Sequence, residues 1–365
     1  MTINANISIP NLLANYDVIA RAAPSAVLAP VVKADSYGLG AANIVRALEG
    51  VKSPYLYYVA TLEEALEIRP LTQADIVVFG GMQQGQQDAF LTHKLTPALK
   101  SLEDVKLWQS HATAVEKLLP CHIHLDTAMN RTGIQMDEDG AATACLEGLD
   151  IRYIITHFAS SEENENPLNT LQRKRFISRA AQYEVAYGRE IKKSMANSSG
   201  IFNFSDMHFD MVRAGGGLWG IEMAVGQAPD LKPVFSIDAK ILQVSAIKAG
   251  ETIGYNELFT AKSSCIIATL AMGYADGLHW PASNKAKFYW RGKPCIVAGS
   301  VSMDLTTVIL PDGLDGAEMP CAGDFMELIG AHQRIETLAQ DCGARAYEMQ
   351  IALGGGRRTQ RHMQS

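Results

Sequence analysis

The chain has no cysteine pair at C-x-x-C spacing and no Cys/His cluster of zinc-binding type. Its six cysteines, at 121, 145, 265, 295, 321 and 342, are scattered as small hydrophobes in a reducing compartment would be. No metal site is expected. Basic charge is not in excess: 32 Lys and Arg stand against 39 Asp and Glu, a formal net charge of −7. No basic field invites nucleic acid, and no Lys/Arg run suggests a membrane-surface helix. Apolar runs stop well short of the ~20 residues that span a bilayer. The first twenty residues contain no Lys or Arg, so neither a signal peptide nor a transmembrane segment is expected and the protein is placed in the cytoplasm. Internal repeats and low-complexity stretches are absent.

What remains is an ordinary globular composition, 47% hydrophobic and 19% charged over 365 residues, enough for two domains with their own cores. Residues 10–22 have helical spacing with Pro10 in the first turn. Strand-type apolar runs then recur near 26–33, 55–60, 76–80, 95–99, 121–126, 151–158, 192–196 and 211–219. Most of the gaps hold a helical pattern, such as 41–48, 62–68, 102–111, 141–146 and 171–187. This alternation predicts an α/β fold, a (β/α)8 TIM-type barrel over residues 1–228. From Pro233 the period changes to two, and short strands follow near 264–272, 286–290, 294–299, 304–310 and 325–329, separated by turns such as Pro311-Asp312-Gly313. Residues 229–365 are therefore expected to form a C-terminal mainly-β domain of sandwich or small-barrel type, with a helix at 335–340. The Gly354-Gly355-Gly356 run is followed by Arg357, Arg358, Arg361 and His362, and the last few residues are expected to be loosely held.

In a barrel of this kind the chemistry sits where strands end, and Lys33, Asp126, His157, Asn197 and Arg213 all fall just after apolar runs. Lys33 lies in V-V-K-A-D-S-Y-G-L-G (31–40). Flanked by Val32 and Ala34, its amine would be desolvated, its pKa lowered and its nucleophilicity raised. The plainer reading of this stretch alone is a strand-end lysine that reaches water.

The stretch resembles the lysine motif of the alanine racemases, and further motifs follow in that family's order: L-D-T-A-M-N-R-T-G (125–133), T-H-F-A-S (156–160), A-N-S-S-G (196–200), V-R-A-G-G-G-L-W-G (212–220), G-Y-N-E-L-F-T-A (254–261), G-Y-A-D-G (273–277) and V-S-M-D (301–304). The resemblance spans both predicted domains. It implies a fold-type III enzyme that interconverts L- and D-alanine, with Lys33 holding pyridoxal phosphate as a Schiff base. It also implies a homodimer with composite active sites and a role in supplying D-alanine for peptidoglycan or in catabolising it.

Removing the Cα proton and returning it to the opposite face takes one acid/base group on each face. The resemblance gives these roles to Lys33 and to Tyr255 of the other subunit, whose phenol is linked through His157 to Arg213. A guanidinium keeps its proton, so Arg213 beside the pyridine nitrogen would leave that nitrogen unprotonated and favour racemisation over decarboxylation. The phosphate is expected against the N–H groups of Gly215 and Gly216, the Ser198 hydroxyl and Tyr37, with Asn197 and His157 also at the cofactor. Arg131 and the Met303–Asp304 segment would hold the substrate carboxylate, and Tyr274 would narrow the entrance.

The chain departs from the family at four places. His124 stands where many members have a lysine, Ser300 where arginine is frequent and Trp219 where tyrosine is usual. The family's arginine-rich C-terminal segment ends in a tyrosine that reaches the phosphate, whereas here no tyrosine follows Tyr347, and that contact is not expected. Three alternatives stand beside the racemase: a broader-specificity fold-III racemase or decarboxylase, a non-catalytic pyridoxal phosphate carrier, and an unrelated barrel hydrolase using Lys33, Asp126 and His157.

Overall fold

The protein is described here by a computed structural model covering residues 2–222 and 230–364. Its first element, β1 (Ile3–Ser8), alternates apolar and polar residues, and Ile3, Ala5 and Ile7 are fully buried. Ser8 then caps the helix Ile9–Ala22 by accepting the N–H of Asn11, with Pro10 in the first turn.

The alternation that follows is built as the periodicity predicts. Strands β2 (Val27–Pro30), β3 (Leu56–Val59), β4 (Asp75–Val78), β5 (Leu95–Leu99), β6 (Leu119–His124), β7 (Leu149–Ile155), β8 (Lys192–Ser194) and β9 (Met211–Ala214) are all parallel to their neighbours. β3 to β8 form one continuous sheet and β2 pairs with β9. A parallel bridge between Val31 and Tyr58 joins β2 to β3, and Arg213 N–H donates to Ala196 carbonyl at 3.0 Å on the other side. The sheet thus closes on itself. Ala29, Val31, Tyr58, Val77, Tyr153, Ile155 and Met211 fill its interior. Helices Gln87–Thr92 and Ser198–Asn203 occupy two gaps where no helical pattern stood out.

The C-terminal part is mainly β, as expected: in its eight-stranded sheet the Val297–Val308 bridge and the Ala298 N–H bond to the Thr307 carbonyl join the strands Lys293–Ile296 and Thr306–Ile309, so the strands close into a ring, the small-barrel type expected. The long strand Phe235–Ile247 is its spine. It pairs antiparallel with Cys265–Leu270, with Phe325–Ile329 and with β1. The first strand of the chain therefore belongs to the C-terminal sheet, not to the barrel. The proposed boundary at 228/229 lies outside the described residues. The tail is also corrected: Thr359–Gln364 is a strand parallel to β1, with Ile3 opposite Thr359 and Ser8 opposite Gln364. Both ends of the chain are held in one sheet. Helices Ile335–Cys342 and Ala346–Gly354 precede that strand; the first is the helix expected at 335–340 and the second was not expected.

Candidate active site

Lys33 follows the end of β2, at the barrel mouth. The chain after it is not the irregular loop its glycines suggest. Ala34, Asp35, Ser36 and Tyr37 all have φ between 52° and 57°, a short left-handed turn made without glycine. Each L-residue in that conformation costs about 1–2 kcal/mol, so the surroundings must impose it. Glu64 does so from the next unit of the barrel: Oε1 accepts the N–H of Ala34 at 2.7 Å and Oε2 that of Ala60 at 2.6 Å. Asp35 accepts from Ala41 N–H and from Arg361, and Gln350 donates to the Tyr37 carbonyl. The turn is clamped between barrel and C-terminal strand. The Lys33 amine makes no hydrogen bond among the described residues and sits 5.9 Å from the Phe79 ring centroid. Burial lowers its pKa, nearby Arg131 lowers it further, and Glu64 opposes both. Such an amine is an available nucleophile.

Arg213 ends β9 and is buried. It donates to Ser194 Oγ at 2.6 Å, to the carbonyls of Thr156 and Met195, and to His157 Nδ1 at 3.4 Å. Its Nε has no partner, a buried donor left free. Burial and then the Arg213 charge hold His157 well below its ordinary pKa, so it is neutral, and the bond from Arg213 to Nδ1 assigns its proton to Nε2.

After β9 the glycines do what only glycines can. A Cβ on Gly215 would collide with Tyr37 Oη, and one on Gly216 with the Tyr347 ring. Ser198 Oγ accepts the N–H groups of Gly215 at 3.0 Å and Gly217 at 3.1 Å, so its own proton can point away from the loop. Asn197 acts locally, its Oδ1 capping the helix Ser198–Asn203 through Gly200 N–H and accepting from Ser161. The loop thus offers a hydroxyl donor for an anionic group, beside the strand ends that carry Lys33 and Arg213.

The second set of expected residues lies on the β domain. Tyr255, Tyr274 and Met303 are 70%, 47% and 56% exposed, and Asp304 is exposed beside them. Their turns are tied together. Gly273 has no room for a Cβ against the carbonyls of Ser302 and Met303, which accept from Tyr274 and Ala275 N–H at 3.0 Å. Tyr255 follows Gly254 (φ 74°), and Asn256 and Glu257 after it also have positive φ. Within one chain Tyr255 has no hydrogen bond to His157 or Lys33 among the described residues. Arg131 is exposed, and its charge is felt at Lys33 and His157. Arg358 binds Asp276 and reaches Asp304, fixing that end of the V-S-M-D turn.

Two sequence candidates take other roles. Asp126 is not a free base: although burial pushes its pKa up, N–H groups of Ala128, Asn130 and Met129 and the Gln135 side chain hold it below the ordinary value. This removes the basis for the hydrolase alternative. His124 is buried at the end of β6 with Nδ1 unpartnered, and burial followed by Arg213 lowers its pKa to about 3. It stays neutral and makes no hydrogen bond to Arg131 among the described residues. Glu64, Arg361 and Tyr347 escape sequence reasoning because their partners lie 30 to more than 300 positions away.

Comparison with known proteins agrees with this geometry. The family described as alanine racemase, N-terminal domain, matches residues 7–223, and alanine racemase, C-terminal domain, matches residues 234–363. The chain is 39% identical over 347 residues to an alanine racemase of Acidiphilium cryptum, covering 93% of each, and 33% identical over 357 residues to that of Rickettsia akari, covering 95% of this chain and 96% of the relative. Its structure is similar to that of alanine racemase from Bartonella henselae with covalently bound pyridoxal phosphate, at a TM-score of 0.93 and 32% identity over 100% of this chain and 99% of the other. The alanine racemase of Streptomyces lavendulae follows at 0.92 and 26%, over 100% and 97%.

Proposed function

The chain belongs to the alanine racemase family, and on that premise we propose which of its residues carry the reaction. The activity is the interconversion of L- and D-alanine with pyridoxal phosphate as cofactor. Bound pyridoxal phosphate supplies the electron sink that makes the alanine Cα proton removable near neutral pH. The site fits that group: a desolvated lysine amine, a buried arginine with a free Nε, and a glycine loop with unspent donors.

Lys33 would hold the cofactor through its amine and would serve as the acid/base on the D face. Arg213 would present its free Nε–H to the ring nitrogen. A guanidinium does not surrender that proton, so the nitrogen stays neutral and competing chemistry such as decarboxylation is discouraged. Gly215, Gly216, Ser198 and Tyr37 hold the phosphate, while Asn197 and His157 shape the floor around the ring. Arg131, the Met303 N–H and Asp304 orient the substrate carboxylate, and Tyr274 keeps the entrance narrow enough to favour alanine.

Tyr255 is the acid/base on the L face. The observation that carries the dimeric reading is that Tyr255, Tyr274 and Met303 are exposed on one chain while Lys33, His157 and Arg213 line a buried mouth. A second copy laying its Tyr255 on His157 completes the line from phenol to imidazole to Arg213. We take residues 1–228 as the cofactor-binding domain and 229–365 as the domain that supplies Tyr255, a division supported by the break between the two matched segments. The unpaired cysteines and the absence of any long apolar helix among the described residues support a cytoplasmic enzyme, with D-alanine supply for peptidoglycan or D-alanine breakdown as its service.

The test is incubation of the cofactor-loaded protein with L-alanine in D2O, following Cα deuteration and chirality together. Deuterated D-alanine supports a working base on each face. Exchange with retained L configuration would remove Lys33 from its assigned face, and no exchange would remove both assignments.

A further inference from the structure

The parallel strands start at the end of the barrel opposite Lys33, and there the starts of β4, β5 and β6 surround a cavity of about 230 Å³. Arg69, Asp75, Lys94, Thr96 and Arg152 line it. Barrels of this type do their chemistry at the other end, so these residues need a different account.

A purely structural account covers only part of the set. Asp75 Oδ1 accepts from the Thr96 hydroxyl at 2.7 Å and Oδ2 from Arg152 Nη1 at 2.5 Å, while Arg152 Nε donates to Asp150 at 3.2 Å. Both oxygens of the one lining carboxylate are thereby spent. The other two cations have no such partner. Arg69 Nη2 donates to the carbonyls of Thr72 and Ala74, which are neutral acceptors, and the Thr72 hydroxyl is tied in turn to Glu49 at 2.8 Å. Arg69 makes no ion pair among the described residues, and burial opposes its charge. Lys94 makes neither an ion pair nor a side-chain hydrogen bond among the described residues. It stands at φ 51°, just past the end of the helix Gln87–Thr92, where glycine is usual.

Arg69 Nε and Nη1, Arg152 Nη2 and the Lys94 amine thus remain unspent among the described residues, around one cavity. Three cations face one carboxylate there, in a chain whose net charge is −7. Cations left unpaired at a concave surface attract an anion, and guanidinium groups offer the paired N–H donors that oxyanions take. We propose that the barrel floor is a second ligand site, which takes a small dianionic oxyanion of the phosphate class between Arg69, Lys94 and Arg152. The two surplus positive charges match a dianion, and the cavity leaves room for a small ester group beside the phosphate. A ligand bound there ties β4, β5 and β7 together and stabilises the barrel by mass action, away from the catalytic mouth.

The test follows thermal unfolding of the holoenzyme, its cofactor bound, against inorganic phosphate and separately against glycerol phosphate, with chloride at equal ionic strength as the reference. Each phosphate is expected to raise the melting temperature with a saturating dependence that chloride lacks, and the one that saturates at lower concentration identifies the free anion or the ester as the fitting form. Lys94→Gln is expected to weaken that dependence about tenfold, the worth of one charge-assisted bond, and Lys94→Arg to keep it. Racemase activity without added anion is expected to stay at the parent level in both variants. Equal shifts from phosphate and chloride would overturn the proposal, and so would an unchanged phosphate dependence in Lys94→Gln. The Lys94 side chain makes no polar contact in the fold, so either variant remains folded and the comparison can be read.

Discussion

Arg361 reaches from the last strand of the chain to Asp35, two residues beyond Lys33, and binds its carboxylate at 2.5 Å. The same guanidinium donates to the Gly354 carbonyl at 2.9 Å. The pair is partly exposed, so in stability it is worth about 0.2–1 kcal/mol. Its position gives it more effect on the left-handed turn than on the fold. Arg361→Ala is expected to lower the melting temperature by no more than a few degrees while weakening cofactor retention several-fold. Equal melting curves with equal cofactor release from variant and parent would remove the clamp from the account.

Glu64 acts on the same turn from the opposite side, and its two oxygens are both committed. In Glu64→Gln one oxygen still accepts, but the amide NH2 faces a second N–H and leaves it unpaired. That costs about 1–3 kcal/mol. The charge also matters, because Glu64 is the contribution that raises the Lys33 pKa against burial and Arg131. Without it the amine is deprotonated at lower pH. The rate of cofactor capture by the stripped enzyme, measured against pH, is expected to shift its acid limb downward, and an upward shift would contradict the electrostatic role.

Much of this is legible in the sequence. The eight barrel strands announce themselves as local apolar runs, and Lys33, His157 and Arg213 fall at their ends. What escapes has a common cause. β1 is I-N-A-N-I-S and the last strand is T-Q-R-H-M-Q, too short or too polar to read alone, and each is made a strand by partners more than 200 residues away. The left-handed turn after Lys33 is likewise imposed by Glu64, Arg361 and Gln350, none of them near in sequence. Tyr347 shows no link in sequence to the glycine run, but a helix folds it back over Gly216.

Three histidines make the fold acid-sensitive. Burial, with Arg152 and Arg213 adding to it, lowers His122 to about 3. Burial and Arg213 lower His124 to about 3 and hold His157 well below its ordinary 6.5. The unfolded chain takes up these protons near 6.5 and the fold does not, so the unfolded state binds more protons and stability rises with pH between about 3 and 6.5. Each histidine contributes about 1.4 kcal/mol per pH unit in that window, and the stripped protein is expected to lose up to about 4 kcal/mol per unit below 6.5. Denaturant unfolding at several pH values measures the slope. His122→Gln, which can still pair with the Tyr58 hydroxyl, is expected to flatten it by one proton.

The proposed composite site makes a prediction that neither half can satisfy alone. Tyr255→Phe removes the L-face acid/base but leaves Lys33, Arg213 and the glycine cradle intact, so it is expected to keep the visible absorption of the bound cofactor. Its racemisation is expected to fall about 10²- to 10⁴-fold, the usual worth of one positioned proton-transfer group. Lys33→Ala is expected to lose both. In the proposed two-fold dimer each site would draw Lys33 from one copy and Tyr255 from the other. Mixing the two inactive variants and allowing subunits to exchange gives about half heterodimers, each with one site doubly damaged and one fully restored. About a quarter of the parent activity should return. If both acid/base groups belonged to one chain, no pairing of the two variants could rebuild a site, and the mixture would remain as inactive as its components.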